Sequence, residues 1–462
     1  MVFVVTLGFI TSLQTSCKKL VEIRPPVSSI STTQVFADSV DATSAIEGIY
    51  SQMLVGPYQI SNGAATIFCG MSADELLPFR SQGNNFPTNT LLNGDTNINS
   101  IWSTSYSLIY QVNASIEGVS ASRGLTQATK NQLIGEAKFV RAFYYFYLVN
   151  LFGDVPLITT SDYKVNSLAS RTPQAKVYAA VINDLLAAQS LLPKDYSYSG
   201  GARIRANSFA ATALLARVYL FQGQWNQAEN QASTVISNTS LFSLSPDLSQ
   251  VFNASSNEAI LQLNPNTNFS PFNATQEGLD FVTNDSLTNP IYYLRQELLN
   301  AFEPSDNRKQ VWLGKTTYSG VPYFYPYKYV VGPNQEAIGV PAPQYYTLLR
   351  LAEQYLIRAE AEANGAPGDA VADLNVIRNR AGLPDYSGPT DKQSLLSAIA
   401  HENQVEFFAE FGHRWLDLKR TGQVNTVLSK IKPTWKSYQQ LYPIPYAEIH
   451  LDPNLTQNQG YY

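Results

Sequence analysis

The stretch that decides the fold is "ANSFAATALLARVYLFQGQWNQAENQASTVI", residues 206–236. Leu215, Ala216, Tyr219, Gly223, Trp225, Ala228, Ala232 and Val235 recur at the offsets of a tetratricopeptide-type helical pair. The spacing has a direct physical meaning. Small Ala216 and Ala228 let two helices approach closely, Tyr219 and Trp225 fill the angle between them, and Gly223 permits the tight turn. Such a pair cannot bury its own apolar face alone, so further pairs are expected beside it.

Working outward, "YLIRAEAEANGAPGDAVADLNVIRNRAGLP" (355–384) repeats the pattern across a Gly/Pro turn, setting Ala359 and Ala363 against Ala370, Leu374 and Ile377. Segments near 99–122 and 126–152 supply another pair, and 172–193 reads as one more helix punctuated by proline at both ends. Apolar residues from Ala42 to Met53 fall on one helical face. The fold class expected is mainly α: three or four tetratricopeptide-like pairs, a large loop-rich insertion and a few short strands. The scaffold covers about 41–55, 99–238 and 343–430. Two segments interrupt it, 56–98 and 239–342, both rich in Asn and aromatic residues; within the second, 258–263 and 325–330 read as strands. The whole of 41–462 is expected to form one domain.

Composition narrows the function. The 462-residue chain is 15% charged, 12% aromatic with 28 Tyr, and carries a net charge of −5. No basic block exceeds two residues, so a phosphate-binding footprint is missing and nucleic acid is excluded as a partner. Residues 1–10 are almost wholly apolar and 1–16 reads as a signal peptide. Leu13-Gln14-Thr15-Ser16-Cys17 resembles a bacterial lipobox with leucine one place further from the cysteine than usual, so Cys17 is expected to carry lipid. Residues 17–40 then form a lipidated tether, and Cys69 is left without a disulfide partner.

No zinc, EF-hand, nucleophile-elbow or phosphate-loop pattern occurs, and no motif indicates a cofactor; a structural calcium ion is left open. Glu402, Glu406 and Glu410 recur every four residues and read as a structural ion network with Arg414, Lys419 and Arg420 rather than an acid/base centre. Rings set beside amides and guanidinium groups are the better signal, because sugars offer apolar C–H faces together with hydroxyls. Two regions have that mixture. From 74–102 the candidates are Asp74, Phe79, Arg80, Asn97, Asn99 and Trp102; from 264–329 they are Tyr292, Trp312 and Tyr323, among further rings that include Phe269, Tyr293 and Tyr318.

A series of motifs spans nearly the whole chain: "FADSVDATSAIEGIYSQM" (36–53), "SADEL" (72–76), "EAKFVRAFYYFYLVNLFGDVPLI" (136–158), "EPSDNR" (303–308), "EFGHRWLDLKRTG" (410–422) and "YPIPYAEIHLDPNLTQNQGY" (442–461). Together with the helical pairs they resemble the SusD/RagB family of outer-membrane lipoproteins. The resemblance implies non-catalytic capture of oligosaccharide at the cell surface by a lipid-anchored protein. It implies delivery to a SusC-like TonB-dependent barrel as partner, and polar ligand contacts near Asp74 and Arg80. The competing expectations are a surface glycoside hydrolase and a peptide-binding module on the same scaffold.

Overall fold

The computed structural model describes residues 35–461 apart from 57, 81–82 and 266–269. Cys17, the leader, most of the tether and Phe269 lie outside the described residues. Helices of eight residues or more are numbered in chain order: α1 (Ser39–Gln52), α2 (Ala64–Ser72), α3 (Thr96–Ala121), α4 (Gln127–Phe152), α5 (Gln174–Leu191), α6 (Ser208–Phe221), α7 (Trp225–Ile236), α8 (Leu351–Ala363), α9 (Ala370–Arg380), α10 (Lys392–Glu406), α11 (His413–Arg420) and α12 (Val424–Ile431).

The 206–236 stretch folds as α6 and α7 joined at Gly223, whose φ of 64° is the left-handed conformation that glycine adopts without strain. Asn207 caps α6, its side chain accepting from the Ala210 N–H at 2.9 Å. Every residue of α6 except Phe221 is buried, so this helix is the centre of the array rather than its surface. Consecutive long helices pack on each other from α3 through α7. Across the insertion α7 then meets α8, which packs on α9 and α10. The second pair thus continues the stack begun by the first, although more than a hundred residues separate α7 from α8.

Helix α2 departs from the expectation of an irregular 56–98 segment. Its sequence, AATIFCGMS, is buried on all sides, so it has no polar face and no helical period to read. The part of the segment around Phe86 and Asn89 is pinned to α2 and to Lys432. Phe86 stacks on Phe68 of α2 at 4.4 Å. The Lys432 ammonium, also buried, donates to the carbonyls of Met71 (2.8 Å) and Ser72 (2.6 Å) and to Asn89 Oδ1 (2.5 Å).

The strands form two-stranded units, and the buried rings of the insertion belong to the same core as the helices. Strands β1 (Leu76–Pro78) and β5 (Tyr292–Leu294) pair antiparallel, as do β2 (Val155–Pro156) with β3 (Arg171–Thr172), β4 (Ala259–Leu263) with β8 (Tyr346–Arg350), and β6 (Leu313–Tyr318) with β7 (Val321–Pro326). The β6–β7 hairpin turns on Ser319 (φ 49°) and Gly320 (φ 79°), two successive positive values that match the twist of a two-residue hairpin turn.

Glu402, Glu406 and Glu410 are buried in an ion network, but with other partners than Arg414, Lys419 and Arg420. Arg308 Nη1 reaches Glu402 (2.7 Å) and Glu406 (2.9 Å). Arg350 reaches Glu406 (2.6 Å), Glu410 (2.8 Å) and Glu258 (2.9 Å), and Arg380 reaches Glu258 at 2.8 Å. Three neighbouring guanidinium groups outweigh burial and hold the Glu406 carboxyl well below the usual carboxylate range. The network ties the insertion, through Glu258, Arg308 and Arg350, to α9 and α10. Arg414 is instead bonded to Asp74, Arg420 to Glu360 and Asp417, and Lys419 to the Asn150 carbonyl; α10 ends at Glu406, and the positive φ of Ala409 and Phe411 turns Glu410 and α11 off its face.

Candidate functional site

Strand alternation sorts the aromatic residues. In the β1–β5 pair Leu77 lies opposite Tyr293 and Pro78 opposite Tyr292. One face, with Leu76, Pro78, Tyr292 and Leu294, is buried; the other carries Leu77 and Tyr293 and continues to Phe79. The Phe79 N–H donates to the Ile291 carbonyl at 2.9 Å and extends the ladder by one residue. In the hairpin, Tyr318 lies opposite Val321 and Thr316 opposite Tyr323, which puts Tyr318 and Tyr323 on one face. That face meets Phe79 and Tyr293.

The result is a ledge of four rings that are only partly covered. Phe79 stands edge-on to Tyr318 and to Tyr323, both at 5.5 Å, and Tyr293 stands edge-on to Tyr323 at 5.1 Å. Tyr318 is 39% exposed. Burial, followed by the neighbouring Tyr323, raises the Tyr293 pKa, so its phenol stays a neutral hydrogen-bonding group. The hairpin is held to the preceding loop by Thr316 Oγ1 donating to the Thr288 carbonyl and Thr317 N–H to the Ser286 carbonyl, each at 2.8 Å. Beside the ledge is a pocket of about 300 Å³ lined by Pro78, Phe79, Arg80, Asn84, Asn289, Pro290, Ile291 and Tyr292. None of these is a carboxylate. The arrangement can stack the apolar face of a ring and pair hydroxyls with a guanidinium and amides.

The structure brings Phe79, Arg80, Tyr292 and Tyr323 together, with Tyr292 turned inward as part of the pocket wall. Asp74 is not open to a ligand: it is 3% exposed and both its oxygens accept from Arg414, at 2.8 and 2.7 Å. Trp102 is 2% exposed because it sits on the inner face of α3, edge-on to Phe152 at 5.0 Å. Asn97 and Asn99, half-buried in the first turns of α3, line no part of the pocket.

Trp312 is 1% exposed, so it is no platform. Its indole N–H donates to the Leu248 carbonyl at 2.9 Å, and its ring lies 4.6 Å from the Lys328 ammonium. It lies 5.9 Å from the guanidinium centres of Arg350 and Arg380. This tryptophan closes the ion network by cation–π contact. Among the pocket residues, Asn289, Pro290 and Ile291 were absent from the sequence candidates. The Ser319-Gly320 turn was the usable signal for the hairpin, since it fixes which tyrosines share a face.

With this geometry in view, comparison with known proteins is informative. Residues 27–220 match a family model described as starch-binding, associating with the outer membrane, and residues 315–461 match the SusD family model. SusD-like protein P2 of Formosa agariphila is 27% identical over 494 aligned residues, covering 95% of each chain. Starch-binding protein SusD of Bacteroides thetaiotaomicron is 37% identical over 124 residues, which is 25% of this chain and 21% of that protein. The solved structure of a laminarin-binding SusD-like protein superposes with a TM-score of 0.78 at 23% identity, over 92% of this chain and 100% of that one. The fold is therefore that of the SusD superfamily, a mainly helical class. The chain belongs to the SusD/RagB family.

Proposed function

We propose that this protein captures an oligosaccharide on the ledge of Phe79, Tyr293, Tyr318 and Tyr323, without cleaving it, and passes it to a SusC-like TonB-dependent barrel. The observation that carries the reading is the meeting of the β1–β5 face with the hairpin face at Phe79, which also lines the pocket that holds Arg80 and Asn289. Each ~40 Å² of apolar surface that a sugar covers is worth about 1 kcal/mol. Two or three stacked residues plus hydroxyl pairing then give binding in the micromolar to millimolar range, about 4–8 kcal/mol. The absence of carboxylates from the pocket lining favours capture over hydrolysis. Anchoring through lipid on Cys17 would keep the ledge at the outer-membrane surface. Among the described residues no helix is long and apolar enough to cross a membrane.

The test is a glycan array with residues 18–462, followed by calorimetry on the best ligand and incubation of that ligand with the protein. Binding with no release of shorter products supports the proposal. Absence of any saccharide binding, or turnover of the bound chain, contradicts it.

A further inference from the structure

A larger cleft, of about 560 Å³, lies where the α6–α7 turn, α8, α10, α11 and the start of α12 meet. It shares no lining residue with the pocket beside the ledge. Its chemistry is different. Only two rings line it, Phe221 and Trp225. Phe221 is covered on one side by the Arg420 guanidinium at 5.2 Å, and Trp225 lies over Gly223, whose absent Cβ would meet the ring at 3.5 Å. Against them stand five side-chain amides: Asn364, Gln393, Asn403, Gln404 and Gln423. Amides spaced along a groove between helices match the alternating N–H and C=O groups of an extended polypeptide, and stacked helical pairs commonly form such concave surfaces.

The floor carries charge. Arg420 donates through Nη1 and Nη2 to the two oxygens of Glu360, and through Nε to Asp417 Oδ1 at 2.6 Å. Arg414, the other cation of the lining, is taken by Asp74. Glu360 and Arg420 cancel, as do Arg414 and Asp74, and one negative charge is left over, on Asp417. Its Oδ2 has no hydrogen bond among the described residues, and the side chain is 20% exposed into the cleft. Burial is the largest influence on its carboxyl and pushes the pKa up, with the Glu360 charge adding to it against the pull of Arg420 and Arg414. An ammonium group placed there would complete the charge balance.

We infer that this cleft binds an extended peptide segment, its backbone on the amides and a lysine ammonium on Asp417. The site is independent of the saccharide ledge and gives the protein a separate surface for a polypeptide partner. The probes are immobilised random hexapeptide pools with a fixed central Lys, Gln or Glu, and the analyte is the purified protein. The Lys pool is expected to bind about tenfold more protein than the Gln pool, the ratio of one added charge-assisted hydrogen bond. Ala400 and Ser397 are exposed positions of α10 on the cleft wall. Ala400→Trp, or Ser397→Trp should the first variant melt early, fills the cleft and should abolish the signal, whereas Tyr323→Ala should leave it unchanged. Equal binding of the Lys and Gln pools would overturn the inference, as would binding that survives both filled variants with intact melting curves. Displacement of the Lys pool by glucosamine but not by N-acetyl-lysine amide would assign the ammonium to an amino sugar and likewise overturn it.

Discussion

Replacing Trp312 by alanine separates the structural rings from the ligand-facing ones. Truncating a fully buried tryptophan costs about 3–5 kcal/mol. The Leu248 carbonyl then loses its donor, at about 1 kcal/mol or more, and Lys328 loses the ring that faces it. The total is about 5 kcal/mol. With an unfolding entropy of about 2.1 cal/mol/K per residue, the stability of a folded region of roughly 400 residues changes by about 0.8 kcal/mol per degree. Trp312→Ala should therefore lower the melting midpoint by about 6 °C. Tyr323→Ala removes a half-covered ring from an exposed hairpin and should cost about 1 kcal/mol, a shift of about 1 °C. Scanning calorimetry reads the midpoints and isothermal titration reads glycan binding at a temperature where each variant is folded. The reasoning requires opposite profiles: Trp312→Ala unstable but binding when folded, Tyr323→Ala stable but weakened in binding. A Trp312→Ala protein that melts normally and has lost its ligand would refute the placement of that ring in the core.

Lys432→Met strips the shared donor from three buried acceptors at Met71, Ser72 and Asn89, and should cost about 3 kcal/mol in chemical denaturation. It should also increase hydrogen exchange in residues 83–93. Burial raises Glu75 and Glu277 to about 8, above their unfolded value of ~4.3, so their contribution is full at low pH and is lost as pH rises through 8. Over pH 6.5–8 stability should fall, and Glu277→Gln, which keeps an acceptor for the Tyr346 hydroxyl, should flatten the fall; denaturation midpoints at pH 6.5, 7.2 and 8 check this. Cys17→Ala should move the protein from the membrane to the soluble fraction of expressing cells, read by fractionation and blotting.

Much of the scaffold was legible because its signals are local. The Ala/Tyr/Gly/Trp spacing of 206–236 specifies a helical pair without reference to anything distant, and 355–384 repeats it. Helix α2 was not legible, since a helix buried on every side has no polar face to mark its period. The site was half legible. Ring-rich sequence pointed to both regions that build the ledge; of its candidates Phe79 and Tyr323 stand on the ledge, while Arg80 and Tyr292 line the pocket beside it. Sequence could not distinguish Trp312 from Tyr323. Both sit among tyrosines, and what parts them is tertiary: Trp312 roofs cations that arrive from 328, 350 and 380, whereas Tyr323 alternates onto a hairpin face that Phe79 and Tyr293 only partly cover. Asp74 shows the same limit, its exposure decided by Arg414, 340 residues away.

The most direct test of the ledge is titration of a defined oligosaccharide, chosen from the array, into the wild-type protein and the Phe79→Ala/Tyr323→Ala double variant. Loss of two stacking faces should weaken binding by about 2 kcal/mol, roughly thirtyfold, with the melting midpoint nearly unchanged. Equal affinity for both proteins would place the saccharide elsewhere on the molecule.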